Sequence, residues 1–218
     1  MKTLNRRNFI KQSSLFTVGA GSMFTLAGAA PGYPVSPATS ENDLNIIGPK
    51  AGFSPQIGTL VSMLNWMRNT ILYPVKGLSV EDLDYIHDEN SNSIGAMLMH
   101  LAATERFYQL HTFEGRKWGD WPEEDVEKWS IASGLGDEAR KNIKGHELDF
   151  YLDALKEVRE HSLAEFAKRD DDWLMKADKD WPWGPTNNYC KWFHVCEHES
   201  NHNGQVKWLR SRLPSSEK

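Results

Sequence analysis

Cysteine is scarce in this chain: Cys190 and Cys196 are the only two among 218 residues. That count rules out a disulfide framework. The spacing also argues against a single bridge, because residues i and i+6 on one helix diverge by about 240°, and joining them would break the helix. Both read as free thiols that fill core space. Long apolar runs are missing too. The stretch from Leu15 to Leu26 is interrupted by Gly19, Gly21 and Ser22 and falls short of the ~20 residues a spanning helix needs. No excess of basic residues exists, with 25 Lys and Arg against 30 Asp and Glu, which disfavours nucleic acid and anionic membrane surfaces as partners. Sustained period-two alternation is absent, although Trp173–Trp183 could hide a short hairpin. No internal repeat is visible.

The first thirty residues read as a targeting segment. Asn5-Arg6-Arg7-Asn8-Phe9-Ile10-Lys11 resembles the twin-arginine export signature, and Ala27-Gly28-Ala29-Ala30 fits an A-x-A cleavage site. The expectation is a periplasmic or otherwise exported protein with no membrane span once the signal is removed. Export of this kind carries folded proteins, so a metal acquired in the cytoplasm would travel with the fold. Removing residues 1–30 takes away Lys2, Arg6, Arg7 and Lys11 and no acid, leaving 21 basic against 30 acidic residues. Residues 31–52, with Pro31, Pro34, Pro37, Gly48 and Pro49, read as a flexible tether, residues 53–213 as one domain, and 214–218 as a tail.

Within the domain, four segments carry apolar residues at helical spacing. Ser54-Pro55 opens a helix over about 55–74. Ser79-Val-Glu-Asp-Leu signals a short capped turn. Asn92-Ser93 starts a second helix reaching about Phe113, with Ile94, Met97, Leu98, Leu101, Phe107 and Tyr108 on its buried stripe. A third spans about 147–169, and a fourth, capped by Thr186, spans about 187–212 before Pro214. The polar stretch 115–146 reads as a long connection with one or two helical turns. The expected fold is all-α: a four-helix bundle of up-down type with long connecting loops.

The last helix carries His194-Val-Cys-Glu-His198-Glu-Ser-Asn-His202-Asn-Gly-Gln205. Three histidines at i, i+4 and i+8 stack on one face. His198 and His202 can close on one metal ion. His198-Glu199-Ser200-Asn201-His202 also matches H-E-x-x-H. The metzincin extension would require Gly and His where Gln205 and Trp208 stand, and the only acid after His202 is Glu217. A third ligand must therefore come from upstream. His100 projects from the apolar face of the second helix, where a histidine needs a partner or a metal.

Ser93-Ile-Gly-Ala-Met-Leu-Met-His100-Leu-Ala-Ala-Thr-Glu105, together with the His194–Gln205 segment, resembles the DinB-like superfamily. These are the damage-inducible or thiol-S-transferase-like four-helix bundles. The resemblance covers Ser54 to Leu213. It implies a divalent metal, zinc or nickel first, with manganese or iron as alternatives, held by His100, His198 and His202. It also implies metal-dependent thiol transfer or hydrolysis. His194 and Gln205 are then second-sphere or pocket residues; Glu199, projecting about 100° from His198, suits a second-sphere role, and Glu105, about 140° from His100, a structural ion pair. An iron-dependent branch of the superfamily has Glu where this chain has Gly204, and is set aside.

Three readings remain open. The first is an exported metal-dependent hydrolase or thiol transferase acting on an unknown small molecule, with hydrolysis favoured if the signal is genuine. The second is a non-catalytic metal- or ligand-binding bundle, its shell closed by a fourth ligand such as His194. The third, ranked last, is a zincin-type protease with Glu199 as base. His87, His111, His146 and His161 read as surface residues. The tryptophans of the two long loops, Trp118, Trp121, Trp173, Trp181 and Trp183, either close the bundle, line a mouth over the metal, or form a homodimer face.

Overall fold

The computed structural model describes residues 43–214; the expected signal segment and most of the tether lie outside them. Four long helices make the frame: α1 (Pro55–Leu72), α3 (Ile94–Thr112), α6 (Leu148–Phe166) and α8 (Asn188–Arg210). Shorter pieces join them: a 3-10 turn at Tyr73–Val75, α2 (Val80–Asp84), α4 (Glu123–Gly134), α5 (Gly136–Asn142) and α7 (Asp171–Met175). A two-residue antiparallel pair, β1 (Ala177–Asp178) with β2 (Thr186–Asn187), closes the loop before α8.

Cap chemistry explains the helix ends. Ser93 accepts from the Ala96 amide, and Ser79 and Asp82 form a reciprocal capping box. Two expected caps are corrected. α1 is capped from α7, because the Asp171 carboxylate accepts from the Gln56 and Ile57 amides at 3.0 and 3.2 Å and from the Ser54 hydroxyl at 2.5 Å. A carboxylate outcompetes a hydroxyl at the positive end of a helix. α8 is capped by Asn187, whose Oδ1 accepts from the Cys190 amide, while Thr186 is spent on the strand pair.

Side-chain pairs give the helix directions. Arg68 donates to the Leu155 carbonyl and Arg159 to the Leu64 carbonyl, so α1 and α6 run antiparallel. Glu105–Arg159 and Gln109–Ser162 run in step along α3 and α6, which are parallel. His100–His198 and His111–Lys191 make α3 and α8 antiparallel. The four long helices thus run up, down, down, up. The connection from α3 to α6 must return the full length of the bundle, which is why it is long. That connection is more ordered than its polarity suggests. α4 buries Asp125, Trp129 and Ala132 at i, i+4 and i+7, and Asp125 accepts from Arg106 of α3 at 2.6 and 2.9 Å. The break to α5 falls at Leu135 and Gly136, both at positive φ.

The core fills two clusters. One packs Leu98, Leu101, Tyr151, Leu155 and Val206; the other packs Ile57, Leu60, Leu64, Phe166 and Trp192. Between them sits a buried charge cluster with one residue from each long helix. Arg68 of α1 and Arg159 of α6 both donate to Glu105 of α3 and Glu199 of α8, over 2.7–3.1 Å. Ser162 adds a bond to Glu105 at 2.7 Å. Burial pushes the Glu105 carboxyl up, but Arg159 and Arg68 together outweigh it and hold it at about 2. The expected structural role of Glu105 is what the fold shows. Residues of the expected tether lie along α1: Gly48 donates to Ser62 Oγ, and Trp66 donates to Asn45 Oδ1. Gly58 admits this passage, since a Cβ there would collide with the Lys50 backbone.

Candidate metal centre

One face of α8 carries Lys191, His194, His198, His202 and Gln205, at steps of three or four residues. Opposite it, α3 presents His100, Tyr108 and His111. Because the helices are antiparallel, the pairs fall in order: His100 with His198 and His202, Tyr108 with His194, His111 with Lys191.

His100, His198 and His202 each offer a ligand atom, and these atoms all lie within 4.8 Å of one another. No other such group of three or more occurs among the described residues. His100 Nδ1 donates to the Ala132 carbonyl of α4 at 3.0 Å, which leaves its Nε2 lone pair facing His198 Nε2 at 2.8 Å. This bond to a backbone carbonyl is the usual device that fixes tautomer and ring direction in a metal-binding histidine. His202 is 6 % exposed, and its Nδ1 is buried without a partner.

All three imidazoles are held neutral. Burial pushes His198 down to about 3, with His202, His100 and His194 adding repulsion. Burial and His100 bring His202 to about 4, against a hydrogen bond to Gln205 that favours the protonated ring. Burial also lowers His100, against the carbonyls of Ala132 and Ser133. Neutral nitrogens are what a divalent cation requires. Zn–N bonds of ~2.0–2.1 Å in a tetrahedral site put ligand atoms about 3.3 Å apart, within reach of small rotamer shifts here. The donor set and the orphaned nitrogen therefore fit one divalent ion.

The neighbouring residues divide. His194 is bound through Nδ1 to the Tyr108 hydroxyl at 2.8 Å and stands outside the three-histidine group, its ring 5.3 Å from that of His198. Glu199 points into the charge cluster, where Arg68 and Arg159 hold Oε1. That is far from the posture of a general base beside the histidines. Gln205 is exposed, bonds Asn201 at 3.2 Å and touches His202. Beside it opens a cleft of about 470 Å³ with no charged lining, formed by Asn90, Asn92, Asn201, Gln205 and Trp208 among others.

The sequence model of the mycothiol-S-transferase family matches residues 59–214, which takes in α1 from Thr59 on, the other three long helices whole, and every one of these histidines. The chain belongs to the mycothiol-S-transferase family. That family lies within the DinB-like superfamily, in agreement with the all-α fold and the three-histidine cluster. A crystal structure of a conserved protein from Enterococcus faecalis is similar in fold, with a TM-score of 0.53 and 16 % identity over 70 % of this chain and 93 % of that one. No curated protein gives a significant match.

Several residues around the centre of this transferase-family chain were not singled out by sequence. Tyr108, on the buried stripe of α3, also partners His194. His111, expected at the surface, donates through Nδ1 to the Arg116 carbonyl and accepts at Nε2 from Lys191, which is 1 % exposed. The signal was available, since Tyr108 and His111 are eight and eleven residues from His100 on one helical face. His146 stacks on Phe150 and His87 sets its ring edge to Trp208. Cys196 is buried, as expected of a core thiol, whereas Cys190 is exposed.

Proposed function

We propose that this protein is a metal-dependent transferase of thiol groups, with one divalent ion, zinc or nickel, held by His100, His198 and His202. The observation that carries the reading is the convergence of three neutral imidazoles, one with an unpartnered buried nitrogen, in a chain of this family. A bound ion would lower the pKa of a coordinated thiol or water and so supply a nucleophile at neutral pH. The reaction forms a carbon–sulfur bond on an electrophilic carbon. The leaving group departs with the electron pair of the broken bond, and the thiol gives up its proton. His194 would take that proton through Nε2, in the tautomer whose Nδ1–H donates to the Tyr108 oxygen. The uncharged, amide-lined cleft beside Gln205 is suited to the body of a neutral thiol carrier.

Hydrolysis is a second reading, supported by one observation. The Arg6-Arg7 motif predicts export through the twin-arginine route to the periplasm, away from cytoplasmic thiols. Water would then replace the thiol as the attacking group.

Elemental mass spectrometry tests the metal. The untagged parent should carry about one equivalent of zinc or nickel, and His198→Ala/His202→Ala should carry none. A folded parent that takes up no metal would overturn the proposal. Thiol conjugation and ester hydrolysis, measured on the loaded protein, separate the two reactions. Cell fractionation of the parent and of Arg6→Lys/Arg7→Lys tests export.

A further inference from the structure

Two loops bring an aromatic cluster to the end of the α3–α8 seam. Trp118 comes from the loop after α3, and Trp181 and Trp183 from the loop between β1 and β2. Trp118 and Trp183 both set ring edges against Trp181, with centroids 4.9 and 5.5 Å away. Tyr108 meets Trp118 at 5.0 Å, and His111 meets Trp181 at 4.9 Å. The cluster is continuous with the three histidines: Trp183 lies 5.1 Å from His194, and His194 lies 5.3 Å from His198.

Three properties of this cluster point to a ligand. The first is exposure. Trp118 and Trp183 are 42 % and 58 % exposed, although large aromatic side chains gain most from burial. The second is an unmet donor. Trp181 is 4 % exposed, and its indole N–H has no partner. Buried indoles usually find an acceptor. The third is charge. The Lys191 ammonium beneath Trp181 is already answered by Asp178 at 2.8 Å and by His111, so the cluster has no charge left to offer a charged ligand.

The geometry points to a binding site for a flat, neutral organic molecule with one hydrogen-bond acceptor, stacked on the exposed rings of Trp118 and Trp183, its acceptor meeting the enclosed Trp181 Nε1 as the rings packed on that indole shift. This is the acceptor substrate of the proposed reaction, so the inference rests on the three-histidine site being the reaction centre. Trp183 connects to His198 through the His194 ring, in steps of 5.1 and 5.3 Å. The thiol carrier then enters from the opposite, amide-lined side.

The test uses the full chain and three probes in calorimetric titrations: 1-naphthol, its anionic analogue 1-naphthoate, and cyclohexanol, which is neutral but not flat. The parent should bind one equivalent of 1-naphthol, about tenfold or more tighter than either comparator. Trp118→Ala/Trp183→Ala alters only exposed rings and should keep its fold and its metal while losing about tenfold or more in naphthol affinity. His198→Ala/His202→Ala should lose metal yet still bind naphthol, which separates failure of the metal reading from failure of this one. The inference is overturned if naphthol does not saturate, if naphthoate binds as well, or if the double tryptophan variant binds unchanged. It is equally overturned if sedimentation shows a dimer that the tryptophan variant dissociates, since the indoles would then be an interface between copies.

Discussion

Arg159→Met is the most informative perturbation of the fold. The guanidinium donates to Glu105 Oε1 and Oε2 at 2.8 and 3.1 Å, to Glu199 Oε1 at 2.9 Å and to the Leu64 carbonyl at 2.8 Å. Methionine fills similar volume but leaves the two buried carboxylates with Arg68 as their one cation, Ser162 still donating to Glu105. Glu105 and Glu199 are 0 % and 2 % exposed, so water cannot take over the lost contacts. Removing one partner from such a cluster costs about 3–5 kcal/mol. With a urea slope of about 2 kcal/mol/M, the midpoint should fall by about 2 M. pH supplies a sharper check. In the parent, Glu105 is lowered to about 2, so its contribution is complete above its unfolded pKa of 4.5 and is lost as pH falls from there towards 2. In the variant, burial is opposed by one arginine instead of two, and the carboxyl takes up a proton at higher pH. The deficit should therefore shrink between pH 7 and pH 5. Adding Glu199→Gln removes one unpaired charge and should recover about 1 kcal/mol or more. A loss below about 1 kcal/mol, or a double variant whose losses simply add, would refute the reasoning.

Other consequences can be measured directly. Gly95→Ala would place a methyl 2.6 Å from Tyr151 Cζ, so overpacking of about 1–3 kcal/mol should outweigh the better helix propensity; thermal melts should show the loss, and Tyr151→Leu should relieve it. Cys190 should react with a disulfide reagent in the native protein within minutes, whereas Cys196, buried with its thiol pushed up to about 11, should react only on unfolding. Equal rates would contradict the burial pattern. His198 and His202, brought to about 3 and 4, stay neutral well below the ordinary 6.5 of a histidine. Bound metal should therefore survive dialysis at pH 5.5 and be lost as pH approaches 4, and half-loss at or above pH 6.5 would count against a preformed neutral site.

The helix ends were legible because cap residues mark them locally. Ser93, the Ser79–Asp82 box and Pro214 each act within three or four residues. Asp171 could not be read as the cap of α1, since it is 115 residues from the Gln56 amide it bonds. Helix direction was equally hidden. A buried stripe tells which face packs inward, and it is the same for parallel and antiparallel neighbours. The parallel run of α3 and α6 becomes visible only once Glu105 is seen beside Arg159 and Gln109 beside Ser162. α4 was underestimated because its buried face holds an aspartate, a tryptophan and an alanine, and Asp125 reads as surface until Arg106 is placed beside it.

The site was legible where spacing alone defines it. His198 and His202 are one turn apart, and His100 stands out as a polar residue on an apolar face. The charge cluster was not legible, because Arg68 and Arg159 at helical positions look like solvated residues. Yet the two features belong together. His198 and Glu199 are consecutive and therefore point about 100° apart on α8. One faces α3 and the histidines; the other faces α1 and α6 and is fixed by two guanidiniums. α8 is thus pinned against rotation by a neutralised buried cluster on one side, while its other side presents nitrogens that must keep their lone pairs. A rotation large enough to move His198 out of line with His100 would tear Glu199 from Arg68 and Arg159. The residue that made H-E-x-x-H look like a protease motif is, in this fold, part of what holds the three-histidine face in register.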